Sequence, residues 1–202
     1  PCLLDENGNE IAENNIEGRL CIKFPWPSIA RTIYNDHKRF KKTYFTSFEN
    51  KYFTGDGGIR DQNGMYRITG RVDDILIVSG HNLGTAEIES AMDEHPNVCE
   101  AAIVGFPHHI KGNGIYAYII CHEKPENETR LKKEINNLVS KEVGPIAKAD
   151  KIQFVNGLPK TRSGKIMRRI LRQIAKGDTE NLGDTSTLLD PNIVEEIKIS
   201  TQ

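Results

Sequence analysis

The chain has 202 residues, of which 37% are hydrophobic and 27% charged, a composition typical of soluble globular proteins. Its 27 Lys and Arg residues nearly balance 28 Asp and Glu residues, for a formal net charge of -1. No overall field therefore attracts nucleic acid, and any electrostatic function has to be local. No apolar run approaches the roughly 20 residues that a membrane span needs, and the length allows one large domain or two small ones.

The start of the chain at Pro1 has neither an initiator methionine nor a basic, apolar signal region, and we interpret the sequence as part of a longer protein. Four cysteines, Cys2, Cys21, Cys99 and Cys121, lie far apart without C-x-x-C spacing. Buried, reduced thiols in a cytoplasmic protein are therefore favoured over disulfides, which are rare in that compartment.

The first 72 residues are predicted to form short strands and turns. Asn7-Gly8 indicates a hairpin turn, because both residue types tolerate the positive φ that such turns require. The stretch GRLCIKF predicts a strand that Pro25 ends. The stretch SIARTIYNDHKRFKKTYF predicts a weak helix with Ile29 and Ile33 on one face.

A meander is predicted next, from NKYFTGDGGIRDQNGMYRITGR. Its first strand leads into a glycine-rich turn, a second turn follows at Asn63-Gly64, and another strand ends near Arg71. Asp56 would lie in the glycine-rich turn, where a carboxylate commonly caps its own turn. The functional alternative is that this carboxylate accepts hydrogen bonds from vicinal hydroxyls such as those of ribose.

Strands mixed with three helices predict a small α+β domain that begins near Asp73. The stretches DDILIVSG, NVCEAAIVGFP, NGIYAYIICHE and DKIQFV predict strands, while ETRLKKEINNLVSKEVG has the apolar spacing of a helix. TAEIESAMDEH predicts a helix with Thr85 as its N-cap and Ile88 facing inward. A last amphipathic helix surrounds Ile170, and a polar tail is expected after about Gly177.

Two loops of this region carry residues of interest. TGRVDD places Arg71 beside Asp73 and Asp74, and as a surface pair such a contact would be worth under about 1 kcal/mol. SGHNLGT places Gly80 and Gly84 close together, which indicates that something passes near the backbone there.

The stretch LPKTRSGKIMRRIL concentrates basic residues before and along the last helix. Its loop holds Lys160, Arg162 and Lys165, and backbone N–H groups near Gly164 together with the helix N-terminus would favour an anion. A P-loop is excluded, because six residues rather than four separate Gly157 from Gly164, and Ile166 stands where Ser or Thr binds magnesium. The remaining basic residues are expected on the solvated face of the helix: Arg168, Arg169, Arg172 and Lys176.

Taken together, these motifs closely resemble the acyl-activating, adenylate-forming enzymes, and within them the family of AMP-forming acetyl-coenzyme A synthetases. The resemblance runs from about Arg19 to Ala175 and rests on Y-x-T-G-D, G-R-x-D, G-T-A-E-I-E and P-K-T-R-S-G-K-I-M-R-R in that order. Such enzymes join a carboxylate to the α-phosphate of ATP with release of pyrophosphate. They then pass the acyl group to the thiol of coenzyme A with release of AMP.

The resemblance implies a role for each matching residue. Asp56 would bind the ribose hydroxyls, and Arg71 would contact the nucleotide near the ribose. Asp73 would be the hinge about which a small C-terminal domain rotates between the two steps. Lys165 would reach the carboxylate and α-phosphate oxygens during adenylation. Because it is expected in an exposed loop, it is also a candidate site of acylation. Ser79 and Gly80 would line the path of the pantetheine arm of coenzyme A.

Two positions depart from the family pattern. Asn82 stands where an arginine usually contacts the AMP phosphate in the thioester-forming state, and Ser140 replaces an arginine that helps hold the 3′-phosphate of coenzyme A. Both departures affect the second half-reaction and leave Lys165 untouched. Other basic residues are candidates to compensate: Lys111, Lys141 and Lys148.

The resemblance also implies a division of the chain and a set of ligands. Residues 1–72 would be the β-rich end of a large domain, and residues 73–202 the mobile C-terminal domain. The phosphate loop, the acyl pocket, magnesium and most ATP contacts would lie upstream of Pro1, so the chain alone is expected to be inactive. Acetate, ATP, coenzyme A, the rest of the large domain and lysine-acylating and deacylating enzymes are the implied partners, in the cytoplasm.

Other classes of function remain as alternatives. A nucleic-acid module is disfavoured, because the basic residues follow one helix without interleaved aromatic residues for stacking. A metal site is not expected either, since His108 and His109 are adjacent and so should diverge, and no further ligand has suitable spacing. Within the family, a propionyl- or other short-chain acyl-coenzyme A synthetase and a non-catalytic interaction domain are the alternatives.

Overall fold

The computed structural model describes residues 1–199. The chain divides into two compact units, Pro1–Asp74 and Ile75–Gln202. The division follows Asp74, whereas the change of sequence pattern placed it after Val72. Each unit has its own sheet, and the mixture of antiparallel sheets and helices is the α+β class that the sequence predicted.

The first unit is a four-stranded antiparallel sheet with one helix. Its strands follow each other in chain order across the sheet. They are β1 (Cys2–Leu4), β2 (Glu17–Ile22), β3 (Tyr52–Arg60) and β4 (Tyr66–Arg71), with α1 (His37–Phe45) between β2 and β3. The turn at Asn7-Gly8 is present, with Gly8 at φ 86° and Leu4 bridged to Glu10.

Two predictions for the first unit are wrong. The glycine-rich stretch is not a turn: Gly55 to Gly58 lie inside β3, which pairs with β2 on one side and β4 on the other. Pairing on both edges outweighs the weak strand propensity of glycine, and a register shift after Gly57 absorbs the irregularity. The helix predicted from Ser28 begins only at His37, where the Asp36 carboxylate caps it by accepting from the Arg39 N–H at 2.9 Å.

The second unit is a five-stranded sheet with helices on both faces. Its strands lie in the order β6-β5-β8-β7, and β9 pairs in parallel with β8. The strands are β5 (Ile75–Val78), β6 (His81–Gly84), β7 (Val98–His108), β8 (Gly112–Cys121) and β9 (Lys151–Phe154). The helices are α2 (Thr85–Asp93), α3 (Glu128–Glu142), α4 (Arg168–Ala175) and α5 (Asn192–Ile199).

The pairing of β7 with β8 separates two hydrophobic cores. Because successive side chains of a strand point to opposite faces, Ile103 and Ile115 pack with α2 and α3, while Val104 and Tyr118 pack with α4 and α5. Both faces are therefore buried, which explains why these two strands read as nearly continuous apolar runs in the sequence. Within residues 1–199, no helix is both long and apolar enough to cross a membrane.

The expectation of a polar tail after Gly177 is wrong. Leu182 and Leu188 are buried, and α5 contributes Val194 and Ile197 to the same core as α4. The leucines stand apart in an irregular segment, so they form no periodic pattern that would reveal their burial. The expected N-cap at Thr85 is also wrong, since Gly84 occupies that position and makes no side-chain cap.

A buried ion pair joins two helices across this unit. The Arg168 guanidinium at the start of α4 donates to both carboxylate oxygens of Glu89 on α2, at 2.7 and 2.9 Å. The same carboxylate accepts the backbone N–H of Ile103 on β7 at 2.9 Å. The Glu89 and Arg168 side chains are only 12% and 24% exposed, so each charge depends on the other for its solvation.

We predict that Glu89→Gln lowers the free energy of unfolding by about 2 kcal/mol, because it leaves a largely buried guanidinium without its counter-charge. Glutamine keeps the shape and an acceptor for the Ile103 N–H, so the change isolates the charge. Glu142→Gln is the matched control, since the Lys141–Glu142 pair at 2.7 Å is exposed and should contribute under about 1 kcal/mol. Urea unfolding of both variants measures the difference, and equal losses would contradict the assignment.

The cysteines of the chain are free, as the sequence predicted, but they are not all buried. Cys2 and Cys21 are buried partners on β1 and β2, Cys121 is half-buried and Cys99 is exposed. Burial raises the pKa of the Cys21 thiol to about 12, so almost none of it is thiolate near neutral pH.

We therefore predict that an alkylating reagent near pH 7 modifies Cys99 in the folded chain and leaves Cys21 unmodified. The thiolate is the reactive form, and it is scarce at Cys21 and also inaccessible. Mass mapping of labelled peptides before and after addition of denaturant measures this order. Labelling of Cys21 at the rate of Cys99 without denaturant would contradict the packing of the first sheet.

Candidate functional site

Asp56 and Arg71, predicted to bind the nucleotide, lie directly opposite each other on β3 and β4. Nη1 of Arg71 lies 3.2 Å from Oδ1 of Asp56 and also donates to the carbonyl of Thr54 at 3.2 Å. Asp56 is thus fixed by a strand pairing and an ion pair, and it does not cap a turn. Only one of its carboxylate oxygens takes part in this pair.

Gly55 explains how the guanidinium reaches this position. A Cβ at Gly55 would lie 2.6 Å from Nη2 of Arg71, and the residue has φ +82°. A side chain there would displace the Arg71 guanidinium, and the positive φ would strain its backbone. The glycine of the Y-x-T-G-D motif is required so that Arg71 can pack over the strand beside Asp56.

Asp73, the predicted hinge, belongs to a short 3-10 turn, Val72–Asp74, at the end of the first unit. Its side chain is 73% exposed and lies 3.8 Å from Nη2 of Arg71, a loose surface contact. The structure therefore shows a short turn, exposed at Asp73, at the position where the two units are joined.

Ser79 and Gly80 form the two-residue turn of a hairpin that the sequence did not predict, between β5 and β6. Their φ values are 50° and 83°, and the flanking residues Val78 and His81 are paired. Positive φ at both central residues is the requirement of a type I′ turn. A Cβ at Gly80 would meet no atom within 4 Å, so the turn geometry accounts for the glycine. Asn82 follows on β6 and is exposed.

Ser140 lies on α3 and is half-buried. Two of the lysines suggested as replacements for the missing arginine are already engaged. Lys111 contacts Asp150 at 2.5 Å, and Lys141 contacts Glu142 at 2.7 Å. Lys148, which follows the 3-10 turn Pro145–Ala147, has no ion pair within the described residues of its unit.

Lys165 stands on a well-defined hairpin. Lys160 is bridged to Ile166, and the N–H of Thr161 donates to the Lys165 carbonyl at 2.9 Å. The N–H of Gly164 donates back to the Thr161 carbonyl at 2.9 Å, and Gly164 has φ +83°. This is the three-residue hairpin loop in which a glycine in the left-handed region completes a turn.

The hairpin changes the interpretation of the basic loop. The N–H of Lys165 donates to Oγ1 of Thr161 at 3.2 Å and that of Gly164 to the Thr161 carbonyl, so neither is available to an anion. Because α4 begins at Arg168, Lys165 also precedes the first helical turn. These two N–H groups therefore do not form the expected backbone anion site, and the side chain of Lys165, which is exposed, is the candidate.

Carboxylates neutralise the basic residues on both sides of Lys165. Lys160 pairs with Glu100 on β7 at 2.6 Å, and Arg168 pairs with Glu89. Arg168 is therefore not on the solvated face as predicted. Arg169 also has a partner, since it donates to the Asp184 carbonyl at 2.5 Å.

Lys165 itself is left without a counter-charge. No carboxylate within the described part of this unit pairs with it or with its neighbour Arg162. The hairpin therefore presents free cations at an exposed tip. The sequence did not reveal that Glu89 pairs with Arg168 and Glu100 with Lys160, although Glu89 follows the inward-facing Ile88 on α2.

The two hairpins contact opposite ends of the β7–β8 pair. Lys160 contacts Glu100, near the start of β7, whereas the Ser79 N–H donates to the Lys111 carbonyl beyond the end of β7, at 3.1 Å. From Glu100 to His108, β7 runs about 26 Å at about 3.3 Å per residue. The Lys165 hairpin and the Ser79-Gly80 turn therefore contact the sheet at opposite ends of β7.

His108 and His109 do not diverge as predicted, because their rings stack with centroids 4.8 Å apart. His108 is occupied in the turn after β7, where its Nδ1 accepts the Ile110 N–H at 3.2 Å. Across residues 1–199, no three His, Cys, Asp or Glu side chains come together in a way that could hold a metal ion.

Comparison with known proteins finds a family model that matches part of this chain. Residues 87–165 match the family model described as the AMP-binding enzyme C-terminal domain. Over 98% of its length the chain is 57% identical to acetyl-coenzyme A synthetase of Escherichia coli K12 and 55% identical to that of Methylorubrum populi. In both cases the chain spans 30% of the length of the relative.

Solved structures show the same fold. Acetoacetyl-CoA synthetase from Streptomyces lividans superposes with a TM-score of 0.84 at 19% identity, over 99% of this chain and 30% of that one. MatB from Rhodopseudomonas palustris, solved with ATP bound, gives a TM-score of 0.72 at 25% identity, over 85% and 33%. Residues 87–165 are thus similar to the C-terminal domain of AMP-binding enzymes, and nearly the whole chain is similar to a part of the acetyl-coenzyme A synthetases.

Proposed function

We propose that the protein to which this chain belongs is an AMP-forming acetate–CoA ligase. In the first step an acetate oxygen bonds to the α-phosphorus of ATP, and the bond from that phosphorus to the bridging oxygen breaks, releasing pyrophosphate. In the second step the sulfur of coenzyme A bonds to the acetyl carbon of acetyl-adenylate. The carbon–oxygen bond to AMP breaks, AMP leaves, and the thiol proton passes to solvent.

The observation that carries this proposal is the free ammonium of Lys165. Acetate and the α-phosphate are both anions and repel each other as they approach, so a cation between them lowers the barrier while charge builds on phosphorus. Lys160 and Arg168 are held by carboxylates and cannot supply it. A compact ammonium on a flexible stem suits a contact that exists in one step only.

Asp56 and Arg71 support nucleotide binding from the first unit. Carboxylate oxygens accept hydrogen bonds from the two ribose hydroxyls, and Arg71 holds Asp56 in place through Oδ1. The side chains within residues 1–199 do not form a metal site, so we draw no step through magnesium on this chain. We place magnesium, the acyl pocket and most ATP contacts outside these 202 residues, and expect the chain alone to be inactive.

The second half-reaction would use the opposite end of the second unit. The Ser79-Gly80 turn would line the path of the pantetheine arm, with Asn82 beside it and Ser140 on α3. Asn82 and Ser140 are neutral, so contacts to the AMP phosphate and to the 3′-phosphate of coenzyme A would be weaker than with arginine. Of the lysines considered, Lys148 has the freest charge to compensate.

We also propose that Lys165 is open to acylation. Its side chain is exposed on a hairpin that a modifying enzyme of the cytoplasm can reach without unfolding the domain. An amide at Nζ would remove the positive charge and add bulk where two oxygens must converge. Acylation would therefore stop the first half-reaction, and deacylation would restore it.

We predict that Lys165→Ala in the full-length protein lowers acetate-dependent exchange of pyrophosphate into ATP by at least about 100-fold, as expected when a single transition-state charge contact is removed. Formation of acetyl-CoA from supplied acetyl-adenylate should change little, because the lysine acts on the first transition state only. Lys176→Ala, which removes an exposed cation after α4, is the control and should leave both rates unchanged. Equal losses in the two half-reactions would rule out the division of roles.

We further predict that Asp73→Pro impairs formation of acetyl-CoA much more than adenylation. The two hairpins contact opposite ends of one sheet, so the second unit has to reorient between the steps, and proline restricts the turn by fixing φ near −65°. Asp73→Ala is the control, since it removes the carboxylate and leaves the backbone free. Normal turnover by the proline variant would show that Asp73 is not the pivot.

A further inference from the structure

The Lys165 hairpin is not an isolated pair of strands. Thr161 is bridged antiparallel to Leu188, and the N–H of Leu189 donates to the Lys160 carbonyl at 2.8 Å. The chain that follows α4 thus returns to the hairpin and pairs with its first strand. We call residues 178–189 the return segment.

Polar contacts fix the path of the return segment along α4. The N–H of Asp178 donates to the Gln173 carbonyl at 3.0 Å, and the Gln173 side chain donates to the Asn181 carbonyl at 3.2 Å. Arg169 then donates to the Asp184 carbonyl at 2.5 Å. Two residues of α4, Arg169 and Gln173, therefore hold the segment at three points.

Two leucines fix the return segment to the core. Leu182 and Leu188 are buried in the cluster that contains Ile170 and Ile174 of α4. Leu188 is 6% exposed, whereas its neighbour Leu189 is 66% exposed. Leu188 therefore has two roles: its side chain anchors the segment in the core, and its backbone pairs with the hairpin.

We propose that the return segment positions Lys165 for adenylation, with Leu188 as the positioning residue; this rests on the proposed function. A two-stranded hairpin alone is marginally stable in water, and the bonds within this one are few. The return segment connects the hairpin to the hydrophobic core through Leu188. A cation that must meet two oxygens loses effectiveness when its support moves, because misplacement by about 1 Å can cost 100-fold in rate.

Leu188 and Leu189 make a matched pair for the test. Leu188→Ala removes the buried anchor and leaves the backbone able to pair, while Leu189→Ala removes a similar side chain that faces solvent. Leu188→Val removes less of the buried side chain and replaces the alanine variant in the test if that variant fails to fold. Neither residue touches substrate in the proposed mechanism, so an effect of Leu188→Ala that Leu189→Ala does not share would act through the hairpin.

The first measurement is hydrogen exchange of the 202-residue chain, which does not depend on activity. We expect Leu188→Ala to speed exchange of the Thr161 and Leu189 amides by about tenfold or more and to leave the amides of β7 and β8 unchanged. Leu189→Ala should match the unaltered chain. If both variants exchange alike at Thr161, Leu188 does not anchor the hairpin and the proposal is wrong.

The second measurement separates the half-reactions in the full-length protein. Leu188→Ala should lower acetate-dependent pyrophosphate exchange about tenfold and leave acetyl-CoA formation from supplied acetyl-adenylate within about twofold. Leu188→Val should recover part of the loss, and Leu188→Ala should add nothing in a Lys165→Ala background. Equal loss in both half-reactions, or a further loss without Lys165, would overturn the positioning role.

The two proposals can fail separately. If the unaltered full-length protein shows no acetate-dependent exchange, the proposed function is wrong, while faster exchange of the Thr161 amide in Leu188→Ala would still show the anchoring. If the unaltered protein is active and Leu188→Ala equals Leu189→Ala in both measurements, the function stands and the positioning role does not.

Discussion

The buried carboxylate of Glu89 is the constraint on which the second unit depends. Its charge cannot stay unpaired away from water, and three elements meet to satisfy it: α2 carries it, β7 donates the Ile103 N–H, and α4 supplies Arg168. Because Arg168 is the first residue of α4, this pair sets where the helix begins. The start of α4 in turn sets where the hairpin that carries Lys165 leaves the core.

The same pairing decides which positive charges are free. A run of basic residues in sequence indicates a diffuse positive surface, but Lys160 and Arg168 are neutralised by Glu100 and Glu89. The charge that remains is concentrated at the hairpin tip, at Arg162 and Lys165. A local field of this kind fits an overall net charge of -1, and the proposed role of Lys165 in adenylation depends on it.

The sequence predicted the elements whose residues repeat with a regular period. The strands β7 and β8 and the helix α3 are found as expected, because their apolar side chains follow the faces of a strand or a helix. It did not predict β6, since the two-residue turn at Ser79-Gly80 hides a short hairpin in what reads as a glycine-rich loop. The burial of Leu188 was missed because a single leucine in an irregular segment has no pattern.

For the candidate site too, the sequence predicted one part and only the structure revealed the other. Short sequence motifs pointed to Asp56, Arg71 and Lys165, and the roles of these residues remain proposals. The contacts that support these residues come from distant positions: Gly55 allows Arg71 to pack over its strand, and Glu89 and Leu188 hold the two sides of the Lys165 hairpin. Attachment of the two hairpins to ends of β7 about 26 Å apart could not be read from the sequence at all. The proposed reorientation of this unit between the two half-reactions rests on that separation, since one sheet cannot present both of its ends at the same point together.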